Sequence, residues 1–158
     1  MTELVTVRIL GMPLDVMQRS AEHSDELLRE FALIREEGSD QVPARLLSLI
    51  EELRSRFGSF SEGPRQAMQD AWERGEQTID LSYEVPAGVA AAARQLGALL
   101  DEADEFCRTG DLLTLATQPQ GVAFRHWYLE EFQRQIAGQP PRPWSAAGGA
   151  VMKDDGPG

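Results

Sequence analysis

A chain of 158 residues with 26 acidic against 15 basic side chains carries a formal charge of −11, which argues against nucleic acid or an anionic membrane surface as the main partner. The apolar share of 42% and charged share of 26% are those of a globular protein with one core. No apolar run long enough for a membrane span and no basic-then-apolar leader is visible, and the lone Cys107 cannot close an internal disulfide, so the expectation is a protein of the reducing cytoplasm.

Leu4–Leu10 alternates Val5, Val7 and Ile9 against Thr6 and Arg8, the period of a half-buried strand, and Gly11-Met12-Pro13 ends it. Pro13 suits the first turn of a helix. From Leu14 to Arg35, Met17, Ala21, Ser24, Leu28 and Phe31 recur at helical spacing. Ser24-Asp25-Glu26 also resembles a helix start, so one helix or two abutting ones both fit. A further helix is expected from Pro43 to Phe57, with Leu46, Ile50, Leu53 and Phe57 in line and Gly58 as its terminator. Pro64 opens a short helix with Met68, Ala71 and Trp72 on its apolar side, closed by Gly75.

Thr78–Val85 is the clearest strand, alternating Ile79, Leu81, Tyr83 and Val85 with polar residues. After Pro86, the residues Val89, Ala93, Leu96, Leu100, Ala103 and Cys107 form a helical stripe capped by Gly110. The last helix covers 122–136, with Thr117 and Gln120 at capping-box spacing before it and Gly138 after it. The reading is a helix-dominated α+β domain over 1–138, with about five helices, a small two-stranded sheet and helices on its buried face. One core should hold Phe31, Leu46, Ile50, Leu53, Leu96, Leu100, Leu129 and Phe132. Residues 139–158 read as a Pro/Gly-rich, disordered tail in which Trp144 can fold back.

Catalytic chemistry has little support in the residue pattern. His23 and His126 belong to no metal-ligand spacing, Cys107 lies on an apolar stripe near a helix C-terminus, and the glycines form no phosphate-binding loop. No catalytic residue, metal or cofactor is expected. Asp101, Asp104 and Glu105 read as a solvated acidic face, with Asp104 able to pair with Arg108.

The last helix is the densest aromatic segment. At about 100° per residue, Val122, Tyr128, Leu129, Phe132 and Ile136 share one stripe, whereas Phe124 and Trp127 fall beside Glu131 and Arg134. Either other helices of this chain cover that second face, or it serves a partner. On the second reading, Phe124, Trp127, Glu131 and Arg134 form a protein interface with a polar rim. The acidic face of Asp101, Asp104 and Glu105 is the alternative surface.

Four stretches, residues 20–31, 42–47, 104–116 and 124–132, carry a resemblance. They include Ala21-Glu22-His23-Ser24-Asp25-Glu26-Leu27-Leu28, Asp104-Glu105-Phe106-Cys107-Arg108-Thr109-Gly110-Asp111 and Phe124-Arg125-His126-Trp127-Tyr128-Leu129. Together they resemble small uncharacterised actinobacterial proteins encoded beside anti-sigma-factor ATPases of the serine-kinase type and anti-sigma-factor antagonists. The resemblance spans roughly residues 4–136 and implies a role in partner switching, without catalytic residues to transfer. The expected function is therefore a non-enzymatic regulatory module that binds another protein, an anti-sigma factor or antagonist, or itself. The alternative is a small-molecule sensor or small enzyme with a pocket beside the aromatic helix. An apolar pocket with converging polar side chains would favour that alternative.

Overall fold

The computed structural model describes residues 3–36, 41–110 and 112–146. Strand β1 (Leu4–Pro13) pairs antiparallel with β2 (Thr78–Pro86), from Leu4 opposite Pro86 to Pro13 opposite Thr78. Between the pairs Ile9–Leu81 and Met12–Ile79 the register shifts by one extra residue on β1, a bulge. Gly11 occupies it at φ 65°, a conformation that only glycine adopts freely, and its N–H donates to Asp80 Oδ1 at 2.7 Å. The extra residue returns Met12 to the face of Val7 and Ile9, and all three are fully buried. Strand β1 therefore runs past Leu10, and Pro13 is its last residue rather than part of a helix.

Helix α1 (Leu14–Ile34) is one uninterrupted helix, which settles the two-helix alternative. Helix α2 (Val42–Phe57) leads through a single 3₁₀ turn at Gly58–Ser61 into α3 (Glu62–Glu73). Gly58 keeps φ −58°, so it continues the chain in right-handed geometry instead of stopping it as expected. Helices α4 (Val89–Thr109) and α5 (Pro119–Ile136) follow β2. Gly138, at φ 97°, ends α5 in a Schellman arrangement: Gln139 N–H donates to the Arg134 carbonyl and Gly138 N–H to that of Gln135. The α+β class with a small two-stranded sheet is as expected, and the structure adds that the strands run antiparallel; four helices of 16 to 21 residues and the shorter α3 complete it. Among the described residues no helix is long and apolar enough to cross a membrane.

The expected single core is in fact two. The first gathers on the sheet: Val7, Ile9, Met12, Leu81, Tyr83 and Val85 meet Phe124, Trp127 and Phe132 of α5, with Leu129 at its margin. The second lies among α1, α2 and α4, where Leu27, Phe31, Leu46, Leu99, Ala103 and Cys107 pack with Ile50, Leu96 and Leu100 at the margin. Helix α4 contributes to both, with Val89 and Ala93 in the first and Leu96, Leu99, Ala103 and Cys107 in the second.

The expected boundary at residue 138 also moves. Trp144 is buried in the first cluster, with its ring centroid 5.4 Å from that of Trp127 and 5.9 Å from that of Phe124. Trp127 Nε1–H donates to the Arg142 carbonyl at 2.8 Å. Residues 139–146 therefore belong to the folded unit, and Trp144 folds back as its composition allowed. The rest of the expected tail, 147–158, lies outside the described residues.

Candidate ligand pocket at the seam of two cores

Where the two clusters fail to meet, a pocket of about 300 Å³ opens to solvent. Ile50, Leu53 and Phe57 of α2 form one wall; Val89, Ala92, Ala93 and Leu96 of α4 form another. Tyr83 and Val85 of β2, with Tyr128, Leu129 and Phe132 of α5, close it from the sheet side. The sequence produces this cavity by its turns. The 3₁₀ segment after α2 sends Phe60 and Ser61 across the gap and places Arg65 of α3 at the lining.

The polar groups in this apolar setting are few. Tyr83 and Tyr128 hydroxyls lie 2.7 Å apart in a hydrogen bond, and both rings pack against Phe132. Burial pushes both tyrosines above the ordinary phenol value, Tyr128 strongly, so both stay protonated at neutral pH. Two hydroxyls sharing one bond leave one O–H without an acceptor among the described residues. The positive charge of Arg65 acts on both hydroxyls in the opposite, lowering direction. Arg65 itself donates to Ser61 Oγ at 3.2 Å, and Arg54 also lines the pocket with no ion pair among the described residues. The lining contains no aspartate or glutamate.

On the far side of Leu96, Tyr128 and Leu129 lies a second, smaller cavity of about 200 Å³. Ser20, His23 and Ser24 of α1 face Asp104 and Arg125 across it. His23 Nε2 and Arg125 Nε are buried without a hydrogen-bond partner among the described residues.

The residues expected to form a protein interface are buried instead. Phe124 is 6% exposed, Trp127 2% and Glu131 0%. Helix α5 is sandwiched, because the chain after Gly138 returns over its second face and Trp144 covers the aromatic pair. Glu131 is the hub of a satisfied network rather than a rim residue. It accepts from Arg134 at 2.7 Å, from the Arg142 backbone N–H at 2.8 Å and from Gln135 at 3.0 Å. Gln135 in turn exchanges two 2.8 Å bonds with the backbone of Arg8, filling the open edge of β1 as a neighbouring strand would. Arg134 remains partly exposed, tied to Glu131.

The acidic face does not hold together either. Asp104 is buried, accepting from Thr117 N–H (2.9 Å), Thr117 Oγ1 (2.7 Å) and Arg125 (2.9 Å). Burial works to raise its carboxyl, but these bonds outweigh it and hold the pKa below the ordinary aspartate value. Asp101 is exposed and bridges Arg125 and His126, whereas Glu105, not Asp104, pairs with Arg108. Thr117 is thus spent on Asp104, and Gln118 takes the N-cap position of α5 without a side-chain bond. Cys107 is buried; desolvation, then the charges of Asp104 and Glu30, push its thiol up to about 11.

Arg54, Arg65 and the tyrosine pair escaped the sequence reading. Tyr83 and Tyr128 stood there only as apolar stripe members. The available signal was that each must bring a hydroxyl into the core and find it a partner. Among the described residues no cluster of His, Cys, Asp and Glu gathers as a metal site. Comparison of the chain with protein-family models, with curated proteins and with solved structures finds no match.

Proposed function

We propose that this protein is a small-molecule-binding module whose ligand enters the pocket between α2, α4, α5 and β2. One observation carries the reading: an open, aromatic-rich cavity of about 300 Å³ into which a few polar groups converge. That size is at the lower end for ligand sites. At roughly 30 Å³ per water-sized group it admits a body of about ten non-hydrogen atoms. Binding rather than catalysis fits the titratable groups at the lining, two arginines and two tyrosines kept neutral. A titration with 1-octanol followed by methyl NMR tests this. Shifts should concentrate at Leu53, Val85, Leu96 and Leu129 and spare Leu27 and Leu46; shifts spread evenly over both groups would remove the reading.

A second reading, regulatory protein recognition, has its own observation. Leu33 (85% exposed), Leu113 (94%) and Leu115 (71%) stand in solvent, and the Glu30 carboxylate, three residues before Leu33 on α1, accepts from Leu113 and Thr114 N–H at 2.8 and 2.7 Å. Exposed leucines grouped this way mark contact surfaces. The partner is then an anti-sigma factor, an antagonist or a second copy, as the resemblance implies. Solution mass across a concentration series, for wild type and Leu33→Asp, tests the self-association branch. A dimer that the substitution dissolves supports it, and a dimer indifferent to the substitution counts against it.

A further inference from the structure

We infer that the ligand is an amphipathic monoanion of about ten non-hydrogen atoms in all: a carboxylate, or an acid group of similar size, held by Arg65 and the Tyr83–Tyr128 hydroxyl pair, on an apolar body. The inference rests on the pocket reading and adds the chemistry of the head group.

Charge is the first argument. The chain has 26 acidic residues, yet the pocket lining has none and includes two arginines. A cationic ligand would find no counter-charge there, whereas an anion meets Arg65, whose side chain is held among the described residues by a 3.2 Å bond to Ser61 Oγ. Hydrogen-bond supply is the second argument. The tyrosine pair has one O–H to spare and no acceptor for it among the described residues, so the missing partner is an acceptor. A carboxylate accepts from a guanidinium and a phenol together, and such charge-assisted bonds are stronger than those of a neutral alcohol. Shape is the third. Leu53, Phe57, Val89 and Leu96 offer only carbon to the remainder of the ligand. A ligand charged at both ends would strand its second charge against them.

The experiment compares octanoate, 1-octanol and octylammonium by calorimetry on the full chain, with Arg65→Gln and the distant Arg45→Gln as variants. Octanoate should bind one-to-one, about tenfold or more tighter than octanol, with octylammonium weakest. Arg65→Gln should reduce the octanoate preference to about threefold or less, and Arg45→Gln should keep it. Circular dichroism melts establish that each variant is folded, and Tyr128→Phe supplies a second way to weaken the preference if Arg65→Gln is not. Equal affinity for octanoate and octanol, or tightest binding of octylammonium, overturns the anion assignment and leaves the pocket reading standing. A preference untouched by both Arg65→Gln and Tyr128→Phe overturns the placement of the head group. Failure of all three probes to bind overturns the pocket reading itself.

Discussion

The two faces of α5 show opposite ways of treating a buried helix. On one face Phe124, Trp127, Glu131 and Gln135 are covered by the returning chain, and their own polar atoms find partners in Arg8, Arg134 and Arg142, although Arg142 Nε is itself buried without a hydrogen bond among the described residues. On the other, Tyr128, Leu129 and Phe132 face a cavity, and a tyrosine hydroxyl goes without an acceptor among the described residues. The difference separates a structural face, which closes the fold, from a face left open at the seam of two cores. The open one is where ligand chemistry belongs.

Breaking the sealed face should have the largest effect. Trp127→Ala removes an indole that packs on Phe124 and Trp144 and bonds Arg142. It should cost about 3–5 kcal/mol in denaturant unfolding. A loss below about 1 kcal/mol would return Trp127 to the surface role that its helical angle suggested.

Asp104→Asn comes next, at about 1–3 kcal/mol at neutral pH, because Thr117 and Arg125 lose a charged acceptor. The pH dependence has a definite sign. The folded pKa is depressed, so the stabilisation is complete above the ordinary aspartate value near 3.9 and disappears as pH falls through the lower folded value. Urea melts of wild type and variant should differ at pH 7 and converge in acid. A gap that widens in acid contradicts the assignment.

On the open face, Tyr128→Phe removes one hydroxyl from the pair and should cost about 1 kcal/mol. An unfolding loss as large as that of Trp127→Ala would mean that this face is sealed as tightly as the other. Leu113→Ser, at an exposed position, should change stability by no more than about 0.5 kcal/mol.

Periodicity made the elements legible, but not how their faces are used. The alternation of Ile79, Leu81, Tyr83 and Val85 located β2, and the glycines at 75, 110 and 138 marked ends of α3, α4 and α5. The bulge at Gly11 was invisible, because an inserted residue shows only when the partner strand is in place. The burial of Phe124 and Trp127 was one of two open readings, and what covers them was invisible for a related reason. Their burial depends on Trp144, which lies in a segment whose proline-rich composition reads as tail. Buried charges misled in the same way. Glu131 and Asp104 look like surface residues by type, and only Arg142, Thr117 and Arg125, distant in sequence, make their burial tolerable. A pocket beside the aromatic helix stood only as the alternative reading, and its walls could not be read, since they arise where the stripe of α4 divides between two cores.

Two alanines on α4 test that claim most directly. Ala93 lines the pocket, and Ala103, ten residues on, is fully buried in the second core. Each is replaced by leucine and its unfolding free energy measured. Ala93→Leu should be neutral or stabilising, because the added carbons enter empty space, whereas Ala103→Leu should lose about 1–3 kcal/mol to overpacking. Equal losses at the two positions would show that the seam is filled like any other core and would contradict the account.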